Sequence, residues 1–480
     1  MRVLIFNHFF DQDIQALIKA RGAHEVFPIP FQYFRSQAVK VLGREITEGE
    51  LEAYNDPDKE SQRLDWKRKS ETIFLKLRAI YRFDIFVAPS DTFFYIRDFI
   101  QCCRSSGIPV IILQKETTIS PYTMEVHSRR IGKEFPFISD KMLVCSSRQR
   151  QFWLNAGAPE DKIVISGQPR FDIYADIPEE RDWLGIGLPV DPQSKVILFF
   201  SYDLDAYAPK GESTAENATW KHLRDETEAA LLELVEKDYT VLVKPHPQQR
   251  SRLERKQLAQ KAGQHWQKKV FWVDRAVDAR DLLRYADVVV GFQTTALYEA
   301  MLAGKPVVYT HWTDPVQKYE DKLIPFWKHP GALELASSGK ELIRAIASGQ
   351  LTVSKATMQQ RRDLAVEHIG EIDGKATERA WSELEQWVQK SQRNANPSLG
   401  SVVATLRCIS GYSRYLANLA GLALSPLLFL ILASLSRFFP ALSKGSTISK
   451  EGLKARFAKF AGFWKGYAQE SWRSGRNSEK

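Results

Sequence analysis

Val241-Leu-Val-Lys-Pro-His-Pro247 is an apolar run that stops on two prolines. An unbroken apolar run of this kind reads as a strand buried on both faces, as in a parallel sheet. The prolines fix the backbone and forbid a helix from starting at once. His246 is therefore expected to project at the carboxyl end of a parallel strand, the edge where doubly wound sheets bind ligands. An imidazole held there can bind a phosphate or donate a proton to a leaving group. The plainer reading is a surface histidine in a turn. Lys244, at the end of the same strand, is a second candidate for a nucleotide or phosphate contact.

Outward from this stretch the chain alternates short apolar strands with longer helical patterns, which predicts an α/β fold built on parallel sheets. Downstream of Gly167 the strands are expected at Lys195–Phe200, Tyr239–Lys244, Lys269–Val273, Asp287–Gly291 and Pro306–Tyr309. Helices fit Thr219–Glu236, Ala276–Tyr285, Thr294–Ala303 and Gly339–Ser348. Upstream, strands fit Val3–Asn7, Glu25–Ile29, Asp84–Ala88, Pro109–Leu113, Lys141–Cys145 and Lys162–Ser166, with helices at Asp11–Ala20, Phe93–Arg104 and Ser147–Ala156. Two doubly wound sheets facing a cleft follow: residues 1–172 as a first domain with a helical insertion at about 45–82, and residues 173–350 as a second domain. Residues 351–399 are expected to be one long charged helix, about Lys355–Gln392, and a linker, followed by a tail over 400–480.

A second informative stretch is Asp287-Val-Val-Val-Gly-Phe-Gln-Thr-Thr-Ala-Leu-Tyr-Glu-Ala-Met-Leu-Ala-Gly-Lys-Pro306. Its strand ends at Gly291, and Thr294 and Thr295 are expected to open a helix whose free N–H groups and dipole attract an anion. Glu299, about one turn on, can accept hydrogen bonds from ribose hydroxyls. Simple capping and a solvated helix position are the bland readings of these residues. In Ile163-Val-Ile-Ser-Gly-Gln-Pro-Arg-Phe-Asp172, at the expected hinge between the sheets, Arg170 has two open roles: a phosphate clamp in the cleft or an inter-domain ion pair.

The net charge of +9 is not spread evenly. Residues 400–480 hold 12 Lys and Arg against three acids, so they carry the whole surplus and the first 399 residues sum to zero. That excludes a generally basic, nucleic-acid-coating protein. Within the tail, Tyr415–Ser436 is a 22-residue uncharged run, long enough for a bilayer core. Basic residues on both sides and Pro426 inside it favour a re-entrant or in-plane hairpin over a simple span. Leu453–Trp472 interleaves aromatic and basic residues, as an amphipathic helix on anionic lipid does. The chain opens directly on a strand-like run, so no secretory signal is expected, and its four cysteines are expected to be reduced thiols.

Gly167-Gln-Pro-Arg-Phe-Asp172, Lys-Pro-His-Pro and Gly-Phe-Gln-Thr-Thr-Ala-Leu-Tyr-Glu-Ala with Ala-Gly-Lys-Pro, in this order, resemble the GT-B superfamily of surface-carbohydrate enzymes. The chain is similar to CDP-glycerol glycerophosphotransferases and capsular polysaccharide transferases, and more distantly to UDP-N-acetylglucosamine 2-epimerases. The resemblance runs from about Pro109 to about Val308. It implies a GT-B-like fold, to which the tail's own residues add a membrane-associated helical tail. It also implies transfer of a glycosyl or glycerol-phosphate group from a nucleotide-activated donor to a polysaccharide or lipid-linked acceptor; the need for cytosolic donors and the basic tail then place the chain at the cytoplasmic face of the membrane. By the same resemblance His246 contacts the donor phosphate, and Thr294, Thr295 and Glu299 hold the nucleotide. The glycerophosphotransferases carry a His-Gly pair after a first-domain strand. Here that strand leads into Gln114-Lys-Glu-Thr-Thr-Ile-Ser-Pro121, and Glu116 is the candidate base, with His8, Asp91 and His127 as other candidates. The missing pair makes a sugar donor at least as good an expectation as glycerol phosphate. No metal and no cofactor beyond the donor are expected; Asp203-Leu-Asp205 reads as a loop acid pair. A sugar-nucleotide epimerase and a non-catalytic scaffold are the alternatives.

Overall fold

The apolar runs become two six-stranded sheets, all of whose strand pairs are parallel. The computed structural model describes residues 1–8, 10–48, 54–115, 119–175, 183–202, 214–246, 249, 251–274, 277–311 and 320–394. The expected tail, its uncharged run and the linker lie outside the described residues, as do Glu116, Asp203 and Asp205.

The first sheet uses β1 (Arg2–Asn7), β2 (Glu25–Pro30), β3 (Ile85–Ala88), β4 (Val110–Leu113), β5 (Lys141–Val144) and β6 (Ile163–Ile165). Its order is β2-β1-β3-β4-β5-β6. Between these strands run α1 (Asp11–Lys19), α2 (Phe31–Glu48), α3 (Glu60–Tyr81), α4 (Phe94–Ser105), α5 (Ser128–Glu134) and α6 (Ser147–Asn155). The helical insertion starts earlier than expected. It includes α2, which kinks at Gly43 with φ 84°, before α3 lays Trp66, Ile73, Phe74 and Leu77 on one sheet face with Phe34 and Phe99.

A 3-10 segment, Pro169–Ala175, leads to the second sheet. This sheet uses β7 (Lys195–Phe200), β8 (Tyr239–Lys244), β9 (Val270–Trp272), β10 (Val288–Gly291), β11 (Val307–Thr310) and β12 (Glu334–Ala336), in the order β12-β11-β10-β7-β8-β9. Its helices are α7 (Thr214–Val235), α8 (Ser251–Ala262), α9 (Ala279–Tyr285), α10 (Ala296–Leu302) and α11 (Gly339–Ala347). Connections leave β7 toward β8 on one side and return to β10 on the other, so the switch point lies between β7 and β10.

The expected single helix over Lys355–Gln392 is two helices, α12 (Lys355–His368) and α13 (Ala376–Asn394). Gly370 and Gly374 between them sit at φ 88° and 73°, where a helix cannot continue. A Cβ on Gly370 would lie 2.0 Å from the Cys145 carbonyl oxygen, so close packing on the first sheet imposes the break. The returning α13 then covers the free face of the first sheet, burying Ala380, Trp381, Leu384 and Val388 with Val3, Ile5, Ile85 and Ile111. The described residues thus form one compact unit. Among them no helix is long and apolar enough to cross a membrane.

Candidate functional site

The carboxyl edge of the second sheet assembles the site. Lys244, buried at the end of β8, donates from Nζ to the carbonyls of Asp274 and Val277 at 2.8 and 2.6 Å. Its ammonium thus ties down the loop after β9. His246 is half-buried two residues beyond. Its backbone is pinned by Gln249: the His246 N–H donates to Gln249 Oε1 and the Gln249 N–H to the His246 carbonyl, each at 3.0 Å. Gln249 Nε2 donates in turn to Ser201 Oγ at 3.0 Å, next to β7. The loop that carries the imidazole is therefore fixed to the strand at the switch point.

Across that switch point, β10 ends at Gly291, and Gln293 takes a left-handed φ of 42°. Its buried amide donates to Tyr309 Oη and the Ile324 carbonyl, both at 2.9 Å, and accepts from the Ile324 N–H at 2.7 Å. This holds the turn before the helix. The helix begins at Ala296, later than expected. Thr294 Oγ1 accepts from the Ala296 N–H at 3.3 Å, while Thr295 already has helical angles and makes no side-chain cap. Both threonines are half-buried.

Glu299, half-buried on α10, accepts a 2.7 Å hydrogen bond at Oε2 from Tyr174 Oη, in the segment joining the sheets. Burial pushes its carboxyl above the usual range. The Arg170 charge, the Tyr174 bond and the Arg280 charge oppose that shift, while Asp278 adds to it.

Arg170 takes up the inter-domain role. Its N–H donates to Asp13 Oδ1 on α1 at 3.0 Å, Nη1 lies 4.0 Å from Asp13 Oδ2, and Nη2 donates to the Lys115 carbonyl at 3.4 Å. Gln168 Nε2 adds a bond to Asp13 Oδ2 at 3.2 Å. The Arg170 carbonyl accepts from Arg280 Nη1 at 3.1 Å. Arg280 also grips Asp278, with Nη2 2.6 Å from Oδ2, and Asp278 Oδ1 accepts from Gln12 Nε2 at 2.9 Å. Charge from Arg170 and Arg280 thus reaches Glu299 while both arginines stitch α1 to α9.

The other first-domain candidates separate. Asp91 is fully buried and accepts from the Ile138 N–H and Ser139 Oγ at 3.0 and 3.1 Å, a loop anchor. His127 is exposed on a π-helical turn. His8 stands at the end of β1 among aromatic rings. Among the described residues no group of His, Cys, Asp and Glu is arranged to hold a metal.

Sequence reasoning missed Asp13, Tyr174, Gln249, Arg280 and Gln293. One signal was available for Asp13: it follows Phe10 and precedes Ile14 and Leu17, on the helix face that enters the core.

A family model described as CDP-Glycerol:Poly(glycerophosphate) glycerophosphotransferase matches residues 119–385, more than half of the chain. No curated protein is significantly similar in sequence. The fold is similar to that of UDP-GlcNAc 2-epimerase from Methanocaldococcus jannaschii, at TM-score 0.51 and 14% identity over 80% of this chain and 99% of that one. UDP-GlcNAc 2-epimerase from Neisseria meningitidis, bound to UDP-GlcNAc, gives TM-score 0.46 and 12% identity over 80% and 100% of the two chains. The wall teichoic acid polymerase TagF gives TM-score 0.46 and 11% identity over 82% and 90%.

Proposed function

Since the chain belongs to the CDP-glycerol:poly(glycerophosphate) glycerophosphotransferase family, we propose that it transfers glycerol phosphate from CDP-glycerol to the hydroxyl end of a cell-surface polymer. The observation that carries this reading is the placement of His246, Thr294 and Glu299 around the carboxyl edge of one parallel sheet, flanking its β7/β10 switch point.

In this proposal the nucleotide lies on the second sheet. Glu299, oriented by Tyr174, accepts from the ribose hydroxyls. His246 and the Thr294 and Thr295 hydroxyls donate to the diphosphate, and Arg170 supplies positive charge from the hinge. Lys244 serves by holding the loop beneath. The acceptor hydroxyl attacks the phosphorus that carries glycerol, the bridging P–O bond breaks, and CMP departs with the electron pair. The hydroxyl proton passes to a base on the first domain, for which Glu116 stays our candidate. Donors aimed at the departing phosphate lower the barrier because charge accumulates there in the transition state. We further propose that the basic tail holds this body at the cytoplasmic face of the membrane, near a polymer built on a lipid.

The test is a thermal-shift and transfer series with CDP-glycerol, CMP, UDP-GlcNAc and GDP-linked sugars. At a hundredfold excess over Kd a true donor stabilises the fold by about 2.7 kcal/mol. Stabilisation by CDP-glycerol and CMP, with CMP release only when a polymer acceptor is present, is the expected result. Stabilisation by none of them sinks the reading, and turnover of UDP-GlcNAc alone replaces it with an epimerase.

A further inference from the structure

Arg361 is a buried cation with no acid to neutralise it. It sits on the second turn of α12 and is 2% exposed. Its Nε donates to the Ala332 carbonyl at 2.6 Å, and Nη1 donates to the carbonyls of Lys305 and Met301 at 2.8 and 3.5 Å. Nη2 carries two more N–H groups and has no acceptor among the described residues. Burial alone pulls the Arg361 pKa down to about 10, so the guanidinium stays charged at neutral pH without a carboxylate beside it. Arginines buried this far are normally paired.

Arg361 lines a cleft of about 130 Å³. Val307 and Glu334, the first residues of β11 and β12, line it too. The cleft therefore lies at the amino edge of the second sheet, opposite the edge that carries His246 and Thr294. Thr352 and Gln350, both exposed, bring a hydroxyl and an amide to the lining, and neither side chain is hydrogen-bonded among the described residues. Pro306 and Leu351 add apolar wall, and Glu334, exposed, is the one carboxylate in the lining. Pockets for drug-sized ligands hold about 300–1,000 Å³. This one suits a small charged group and is too small for a second nucleotide.

We propose that this cleft is an effector site for a small tetrahedral oxoanion, phosphate or a phosphate monoester. Arg361 Nη2 supplies the charge, and Thr352 and Gln350 supply neutral donors. Three donor groups of different kinds match an anion with three or four oxygens better than a two-oxygen carboxylate. The carbonyls that Arg361 holds say what the anion would change. Met301 lies in the last turn of α10, the helix that carries Glu299, and Lys305 follows that helix. An anion that draws the guanidinium toward the cleft loosens this hold on α10 and weakens donor binding at Glu299. Linkage makes the effect reciprocal. The coupling rests on the transferase reading above; the anion site does not.

The test is calorimetric titration of the full chain with inorganic phosphate, methyl phosphate and acetate. Phosphate binding is expected to weaken roughly tenfold in Thr352→Asp, which adds a like charge, and to tighten roughly threefold in Gln350→Lys. Both positions are exposed, so neither change disturbs the core. His246→Ala should keep this binding. Loss in His246→Ala with wild-type affinity in Thr352→Asp puts the anion in the donor site and overturns the proposal, as does no phosphate binding by the wild type. Acetate binding as tight as phosphate overturns the assignment to a tetrahedral oxoanion. For the coupling, saturating phosphate should weaken CDP-glycerol binding about fivefold in the wild type and not in Thr352→Asp. An equal effect in both proteins, or none in either, overturns the effector role. Charge-dependent phosphate binding with no CDP-glycerol binding keeps the anion site and removes the donor reading.

Discussion

The Arg170 N–H donates to Oδ1 of Asp13 across 3.0 Å, joining the segment between the sheets to the first helix. Asp13 is 1% exposed, and burial raises its carboxyl pKa against the pull of the Arg170 charge and the hydrogen bonds it accepts. Asp13→Ala would strand the Arg170 N–H and leave the Gln168 amide and the Arg170 guanidinium to their 3.4 Å bonds with the Lys115 carbonyl. Breaking one side of a buried charged contact costs about 3–5 kcal/mol. The long 4.0 Å ion pair puts the expectation at the lower end, about 3 kcal/mol. Asp13→Asn, which keeps one acceptor, should lose about half of that. Chemical denaturation of the three proteins checks the order, and an Asp13→Ala midpoint equal to wild type would refute the hinge role.

Tyr174 orients Glu299 by a single hydrogen bond, and Tyr174→Phe removes it while leaving the ring in the second core. A hydrogen bond to a charged group contributes about 1.5–3 kcal/mol. If Glu299 reads the ribose, KM for CDP-glycerol should rise about tenfold with kcat nearly kept. The bond also holds the Glu299 pKa down against burial. Its loss raises that pKa, so the acid limb of donor binding should move to higher pH. A stability change with an unmoved KM and pH profile would show Tyr174 to be packing alone.

The strands were readable because each parallel strand is a closed apolar run, and all eleven expected ones appear within a residue or two. β12 was not, being a three-residue edge strand, Glu334–Ala336, that pairs only with β11. The break between α12 and α13 was hidden for a different reason. Charged helical composition continues on both sides, and the reason for the break, the Cys145 carbonyl against Gly370, lies far away in sequence. The site shows the same division. His246 and Thr294 sit just beyond strand ends and Glu299 on the helix that follows, where local pattern predicts exposure to a cleft. Their supports come from afar: Tyr174 is 125 residues from Glu299, and Asp13 is 157 from Arg170. Pairings at that distance are decided by the packing of two sheets, which no local pattern encodes.

Asp172 gives a prediction confined to one helix. Its Oδ1 accepts from the Ala376 N–H at 2.9 Å and its Oδ2 from the Thr377 N–H at 2.8 Å, so it caps α13 from the end of the Gln-Pro-Arg-Phe-Asp motif. Loss of such a cap costs about 0.5–2 kcal/mol. Asp172→Ala should speed amide hydrogen exchange in Ala376–Asn394 and at the first-sheet face that Trp381 covers, leaving β7–β10 amides as protected as in wild type. Uniform change across both sheets would contradict the assignment.

His368 makes the fold acid-sensitive in a way that one substitution isolates. It is 2% exposed, stacked on Tyr298 at 4.9 Å, and burial, then Arg148 and His329, push its pKa down to about 3. The unfolded chain therefore takes up a proton near pH 6.5 while the folded chain does not until about 3. This stability contribution is complete above pH 6.5 and is lost as pH falls, by about 2 kcal/mol at pH 5. The buried carboxyls of Asp13, Asp91 and Glu299 act in the opposite sense, because their raised pKa values let the folded state bind protons first. The total pH profile mixes both. His368→Phe keeps the stack and removes only the first effect, so between pH 7.5 and 5 the variant should lose about 2 kcal/mol less stability than wild type. Parallel loss in the two proteins would mean that His368 can be protonated in place.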